Sequence, residues 1–575
     1  MAGGYQKDVD RRNIEPYNLD VDTVNTGESR PMRIESYRQA NVDDAFDAIV
    51  IGSGIGGLAA ASLLARHAGR RVLVLERHYT AGGFTHVFRR PGYEWDVGVH
   101  YIGQVNDPAS PVRAAFDHLT DGRLHWNAMP DVYDRVILGG REYEFLSGAE
   151  RFRDRLKQYF PSEGPAIDGY FRAVRSCAKS SGLYFASKAV PGPIERIAGS
   201  LMRAPFLRRA GRTTADTLAG LGCSRELAGV LTGQWGDYGL PPGRSSFGIH
   251  SIVAEHYFNG AAYPLGGAGA ILKTMLPAIE AAGGKLLVSA DVKEVLTDRG
   301  RAVGVRMQDG REFHAAIVIS DAGAAFTYRS LLPQVRETQD VLRKIERIPP
   351  SMAHVSLYVG LKSASEELGI APTNLWICPG PDHDANVFRS EASSDAPLPV
   401  IFISFPSAKD PSFASRYPGR ATIEVVAPAP FAWFEKWAGT RWKHRGDEYD
   451  RLKARWAERL KSELENAVPQ VRGRIDCCEL STPLSTRSFT NHQSGEIYGL
   501  AHVPERFRLN CLGARTPVRD LYLTGADVTT AGVTGAMMGG VLTASAILGR
   551  NLMSVITKGV GRSSIRQAKP AALAS

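Results

Sequence analysis

Residues 46–57 read Phe46-Asp47-Ala48-Ile49-Val50-Ile51-Gly52-Ser53-Gly54-Ile55-Gly56-Gly57. The apolar run Ala48–Ile51 predicts a buried strand, and the glycines after it predict a turn. Leu58 to His67, rich in Ala and Leu, reads as a helix, and Val72-Leu73-Val74-Leu75-Glu76 as a second strand. The unit is β-α-β in about 30 residues, the size of a parallel crossover. Gly52, Gly54 and Gly57 stand at the three positions of GxGxxG. The first permits the tight turn, the second lets a phosphate approach the backbone, and the third lets helix and strand pack closely. The helix start then offers free N–H groups and the positive end of its dipole to an anion. Glu76 ends the second strand about 20 residues on, where a carboxylate accepts both ribose hydroxyls and repels a 2′-phosphate. That disfavours NADP at this site.

A second uncharged glycine-rich stretch, Val528 to Leu548, follows Thr524-Gly525-Ala526-Asp527 near the other end of the chain. The uncharged run from Ala48 to Ala65 and this stretch both approach the ~20 residues needed to cross a bilayer. The glycines of the first break it at the turn, and several Gly and Thr interrupt the second, so both are read as helices buried against a sheet. No transmembrane helix is expected.

Across 575 residues the chain is 43% hydrophobic and 22% charged, with a mean hydropathy of −0.18. This is the composition of a large globular protein with more than one domain. The net charge is +9, but no basic stripe is interleaved with exposed aromatics, which argues against a nucleic-acid partner. The six cysteines form no CxxC and no disulfide framework, and the 14 histidines form no HExxH. We therefore expect a reducing compartment and no metal. The polar N-terminal segment has no apolar core of a signal peptide, so the expected location is cytoplasmic, peripheral on a membrane at most.

The expected organisation is discontinuous. A polar leader arm covers 1–44. Segments 45–125, 259–345 and 481–553 form the nucleotide domain. Segments 126–258 and 346–480 form an interleaved α+β domain that selects substrate. A basic tail without acidic residues, 554–575, is expected to be disordered. Residues 285–295 and 302–306 read as strands of a hairpin-like meander. Strands are expected at 354–359, 400–405 and 421–426. A helix is expected over 447–467, with Leu452, Trp456, Leu460 and Leu464 on one apolar face. The aromatic crowd Phe431, Trp433, Phe434, Trp437 and Trp442, with Trp376 and Phe413, is read as core rather than as the lining of a tunnel.

Glu76-Arg77 is followed by Gly82-Gly83 and by Asp96-Val97-Gly98-Val99-His100-Tyr101-Ile102-Gly103. With Leu521 to Leu552 at the other end, and with Tyr263-Pro264-Leu265-Gly266-Gly267, Val318-Ile319-Ser320-Asp321-Ala322-Gly323 and Glu496-Ile497-Tyr498-Gly499-Leu500 between, the chain resembles the phytoene desaturase, carotenoid isomerase and retinol saturase family. The retinol saturase branch is the most similar, over about residues 45–553. The resemblance implies an α/β Rossmann-like FAD-binding fold of the amine-oxidase type. It implies an FAD-dependent oxidoreductase acting on carbon–carbon double bonds of an isoprenoid lipid, by saturation, desaturation or cis/trans isomerisation, with hydride transfer at flavin N5.

Carried over by position, the resemblance gives these roles. Gly52, Ser53, Gly54, Ile55, Gly56 and Gly57 hold the diphosphate. Glu76 holds the adenosine ribose, with Arg77 beside it. Gly82 and Gly83 pass under the diphosphate and ribityl chain. Val292 meets adenine through its backbone. Gly525 and Asp527 serve the ribityl or diphosphate end, and Val533 and Thr534 direct N–H groups at the flavin pyrimidine edge. The candidate proton carriers are His100, Tyr101, Glu496 and Tyr498. No second GxGxxG follows a strand, so NAD(P)H or another electron donor is expected only as a transient visitor.

Pro193 to Arg212 interleaves Arg196, Arg203, Arg208, Arg209 and Arg212 with Ile194, Ile197, Leu201, Met202, Phe206 and Leu207. That is the make-up of an interfacial helix and the expected membrane contact. A flavin amine oxidase and a prenyl-protein escort of the GDP-dissociation-inhibitor type share this fold and are the rival readings. The escort has no need of the intact glycines.

Overall fold

The computed structural model describes residues 34–190 and 192–558, and their side chains except at 192–196. The first crossover is strand β1 (Ala45–Ile51), helix α1 (Ile55–Ala68) and strand β2 (Val72–Leu75). Three distant segments join it: β3 (Lys285–Val288), β4 (Glu312–Ser320) and β5 (Leu521–Leu523). The five run parallel in the order β3-β2-β1-β4-β5. Successive residues of β1 go to opposite faces. Ala48 and Val50 join one core with α1, and Ile49 and Ile51 join another with Val318 and Leu521. A strand covered on both faces needs a continuous apolar run, which is what β1 carries.

Helix α2 (Gly532–Leu548) lies directly on α1. A Cβ on Gly540 would stand 2.4 Å from the Gly56 carbonyl oxygen and 2.6 Å from the Ala59 Cβ. The small residues of both stretches thus serve close helix packing. Among the described residues no single helix is long and apolar enough to cross a membrane; only the pair Gly532–Leu548 and Leu552–Lys558, bent by 111°, has the length and composition together.

A second, seven-stranded sheet runs in the order Ile475–Ser481, His354–Leu361, Ala421–Pro428, Ile401–Ser404, Asn374–Cys378, Val132–Leu138, Arg141–Leu146. Helix Asp447–Ala467 covers one face through Trp456, Leu460 and Leu464. Helices between Ala149 and Tyr257 cover Val136, Trp376 and Phe402 on the other. The hairpin Val87–Arg90/Tyr93–Asp96 links the two sheets. Trp95 Nε1 donates to the Val359 carbonyl (3.0 Å), and the Asp96 N–H donates to Glu424 (2.9 Å).

Several expectations change. The stretch 285–295 is not one strand of a meander. Ser289 turns with φ +55°, so β3 joins the parallel sheet while Val292–Asp298 pairs antiparallel with Arg301–Met307. The tail begins later than Ser554: Leu552–Lys558 is helical, and Leu552 and Ile556 are buried in the α1/α2 core. Residues 559–575 and 1–33 lie outside the described residues. Residues 34–44 dock on the body, where Glu35–Ser36 extends the sheet beside β3 and the Tyr37 hydroxyl donates to Asp309 (2.9 Å). Phe434, Trp376 and Phe413 are buried, and Trp433 stacks on Trp456, as core residues do.

Candidate active site

Helices α1 and α2 both begin without a side-chain cap and without an acidic residue in the first turn. Their N-terminal N–H groups therefore need a partner from elsewhere. At α1 that partner is Asp321, at the end of β4. A Cβ on Gly54 would meet Asp321 Oδ2 at 2.4 Å, and one on Gly525 would meet Oδ1 at 2.4 Å. The Gly57 and Gly54 N–H groups point at this carboxylate, whose pKa burial nevertheless pushes up to about 7, with Glu76 and Asp527 adding repulsion. A carboxylate in the glycine nest stands where such turns receive phosphate oxygens. The nest is thus built for an anion. At α2 the Thr534 hydroxyl oxygen is buried without a partner, beside a Gly532 whose Cβ position is open. An orphaned polar atom at an uncapped helix start is what a polar ring edge would satisfy.

Asp321 is also a test of the nest. Its pKa is raised above the ordinary 3.8, so the folded chain holds this proton through the window from about pH 4 to 7, where the unfolded chain has lost it. Its stabilising share is therefore full below the unfolded value and lost as pH rises through about 7. In urea unfolding Asp321→Asn is expected to lie nearest wild type below about pH 4, to gain on it from there to about pH 7, and to exceed it most at pH 8.

The Glu76 carboxylate is buried. One oxygen accepts from the Ser53 N–H (2.9 Å) and hydroxyl (2.7 Å), the other from the His78 N–H (2.7 Å). Burial raises its pKa against these bonds. The Ser53 hydroxyl also accepts from the Gly82 N–H (2.9 Å), and Gly83 approaches Gly54 so closely that a Cβ would lie 2.9 Å from its Cα. Gly52 to Gly57, Glu76, Gly82 and Gly83 are thus one unit. Ile55 is buried in the α1 core. Arg77 leans away, donating to the Ser488 carbonyl (2.8 Å) with Asp291 at 3.5 Å. Val292 starts its strand two residues after Ala290, whose N–H donates to the Glu76 carbonyl (2.8 Å). Val533 and Thr534 open α2.

Asp527 sits differently from its expected role. Its Oδ2 accepts from the Ala324 N–H (2.8 Å) and its Oδ1 from the Leu500 N–H (3.1 Å), with the buried Arg506 guanidinium at 3.8 Å. Both oxygens are engaged in fastening three chain segments. Glu496 also departs from expectation: it accepts from the Ser494 N–H (2.8 Å) and closes its own turn.

The other three candidate proton carriers gather near the second sheet. His100 Nδ1 lies 2.9 Å from Glu424 Oε2, and a fifth of the His100 side chain is exposed. The Tyr101 hydroxyl donates to Asp134 (2.9 Å) and approaches Asp237 (3.3 Å), and its ring stacks on Tyr257. The Tyr498 hydroxyl donates to the Gly236 carbonyl (3.1 Å), beside Asp237. Burial, with Asp134 adding repulsion, raises the Asp237 pKa well above the carboxylate range. Asp134, Asp237, Glu424 and Lys409 carry no local motif that marks them in the sequence. The second sheet carries Asp134 and Glu424, and short helices at Trp235–Asp237 and Pro406–Lys409 bring Asp237 and Lys409 to His100 and Tyr101. Among the described residues no group of three or more His, Cys, Asp or Glu is placed to hold a metal ion.

Comparison with known proteins agrees with this geometry. Residues 50–119 match an NAD(P)-binding Rossmann-like domain, and residues 229–548 match the flavin containing amine oxidoreductase family. The all-trans-retinol 13,14-reductase of Danio rerio is 38% identical over 90% of this chain and 88% of its own length. Prolycopene isomerase 1 of an Oncidium hybrid cultivar is 28% identical over 84% of this chain and 80% of its own length. Cyclohexylamine oxidase from Brevibacterium oxydans shares the fold, with a TM-score of 0.54 and 17% identity over 90% of this chain and all of that one. The resemblance read from the motifs holds, as does the α/β amine-oxidase-like fold. The protein is a flavin-dependent oxidoreductase: it belongs to the flavin-containing amine oxidoreductase family and, within it, to the group of the all-trans-retinol 13,14-reductases.

Proposed function

We propose that the chain is an FAD enzyme that adds hydrogen across a carbon–carbon double bond of an isoprenoid lipid, with a retinoid as the first substrate to test. The observation that carries this is the 38% identity to a retinol 13,14-reductase along nine-tenths of the chain, with both uncapped helix starts intact. The nest of Gly52 to Gly57 would hold the diphosphate, Glu76 the ribose, Gly82 and Gly83 the chain between, and Val533 and Thr534 the flavin edge. Bound there, the flavin supplies hydride. The protein's share is to bind and orient the polyene, exclude water and deliver a proton to the neighbouring carbon. His100 and Tyr101 lie where the hairpin from the cradle meets the second sheet, and we assign them this part; Glu496 is left out of it. Asp321 must give up its place or keep its proton for a diphosphate to settle, so wild-type FAD affinity should fall as pH rises through about 7 while Asp321→Asn stays flat. Electrons arrive from a visiting donor such as NAD(P)H.

Helix Gly192–Ala210 is the proposed membrane contact. Ile197 (86% exposed) and Leu201 (77%) project from it, and Leu183 on the neighbouring helix is 56% exposed. Arg203, Arg208 and Arg209 stand on the same helix. Exposed apolar residues among arginines suit an anionic lipid surface. Wild type is expected to float with anionic vesicles and Ile197→Asp/Leu201→Asp to stay behind; equal flotation of both contradicts the contact.

The function itself is tested by offering retinoids, carotenoids and unsaturated fatty acids to the reduced enzyme without oxygen. A product heavier by two hydrogens is expected from a retinoid. A product lighter by two hydrogens, or an isomer of unchanged mass, assigns the chain to the reverse or the redox-neutral chemistry.

A further inference from the structure

His100 holds no extra proton of its own at neutral pH. Burial, with Lys409 nearby, pulls its pKa down to about 3, so an imidazolium there is disfavoured at neutral pH. Its Nδ1 is buried without a hydrogen bond, and so is Oε2 of Glu424, which is fully buried. These two unsatisfied atoms lie 2.9 Å apart. A proton between them satisfies both.

The surroundings of Glu424 hold such a proton. Its Oε1 accepts from the Asp96 N–H (2.9 Å). The Asp96 carboxylate accepts from the Tyr263 hydroxyl and from the Ala268 N–H (3.0 Å). Lys409, 1% exposed, donates to the His100 carbonyl (2.9 Å) and to the Ser404 hydroxyl (2.7 Å). Tyr358 pairs with Glu424 across the sheet, and His354 begins that same strand. Glu94, on the hairpin, is held by Arg89 and Arg416. Two carboxyls and one ammonium thus share a buried site. Burial raises Glu424 and Asp96 to about 8 each, and pulls Lys409 down to about 7. Glu424 is therefore mostly a neutral acid at pH 7.

We propose that Glu424 is the proton reservoir of the reaction and that His100 relays its proton without ever becoming charged. As Nε2–H of the neutral imidazole passes its proton to the substrate carbon, the Glu424 carboxyl passes its own to Nδ1. The alkene gains one hydride and one proton, His100 ends as the other neutral tautomer, and Glu424 ends as a carboxylate beside the Lys409 ammonium. Reprotonation from solvent resets the pair. Glu424 does not touch substrate and is a positioning and proton-holding residue. The inference rests on the function proposed above and names the source of its proton.

Two measurements on the FAD-loaded protein separate the inference from that function. The first is infrared and needs no substrate: the difference between wild type and Glu424→Gln at pH 7 should hold one protonated carboxyl band that shifts in D2O and fades with an apparent pKa near 8, on top of the bands that other buried carboxyls such as Asp237 give in both proteins. The second is a single turnover of reduced enzyme with retinol. Glu424→Gln should slow it by about 100-fold or more with flavin content and apparent retinol affinity unchanged. Glu424→Asp, which keeps a proton to give, should recover part of the rate and of the alkaline fall in the pH profile. A difference spectrum without that band, or Glu424→Gln turning over as fast as wild type, overturns the reservoir. Wild type that shows the band but converts no isoprenoid overturns the proposed function and leaves the reservoir standing.

Discussion

Asp527→Ala is expected to cost about 3–5 kcal/mol of stability and to release the flavin. The loss comes from what the carboxylate holds. Arg506 is 2% exposed, and its guanidinium also donates to the Leu500 and Ala526 carbonyls. Without Asp527 its charge stays buried with no counter-charge, and one-sided removal of a buried pair costs that much. The N–H groups of Leu500 and Ala324 lose their acceptor as well. The segment that frees is the one leading into α2, so the cradle loosens with it. Asp527→Asn keeps an acceptor and loses the charge, and should fall between. Urea unfolding with flavin absorbance read in parallel gives both quantities. An Asp527→Ala protein as stable as wild type, or one that keeps its stability and loses only flavin, contradicts the fastening role.

Gly56→Ala is expected to lose flavin and to cost about 1–3 kcal/mol or more, although it adds a single methyl group. The new Cβ would stand 2.6 Å from the Gly525 Cα, 2.8 Å from the Gly525 nitrogen and 2.8 Å from Asp321 Oδ1. Two of these are backbone atoms and cannot turn aside. Relief requires α1 to move off the segment before α2, which opens the nest. Gly182→Ala is the control. Gly182 lies exposed within helix Gly164–Ser187 with nothing within 4 Å of its Cβ position. There the same change should add about 0.5–1 kcal/mol. Equal behaviour of the two variants contradicts the close packing at the cradle.

The parts of the molecule legible in the sequence are those whose reasons are local. Gly52 to Gly57 declare a turn, β1 and β2 declare strands covered on both faces, and Trp456, Leu460 and Leu464 declare the buried face of their helix. What the sequence did not show depends on distant segments meeting. Asp321 caps α1 from across the sheet. Glu424, Lys409 and Asp96 belong to three separate elements and become a cluster only when hairpin and second sheet join. The resemblance implies a cofactor role for Asp527, and nothing local to it announces the fastening role. The backbone N–H groups that take its oxygens come from residues 324 and 500, which no spacing rule connects to it.

The most direct test of the account is the flavin spectrum of the reduced, oxygen-free enzyme on mixing with all-trans-retinol, beside a parallel mixing of the oxidised enzyme with a primary amine. The account predicts that retinol reoxidises the flavin with one equivalent of product heavier by two hydrogens, and that the amine leaves the spectrum unchanged. Flavin that stays reduced with every retinoid and carotenoid offered, and is bleached by the amine, would contradict it.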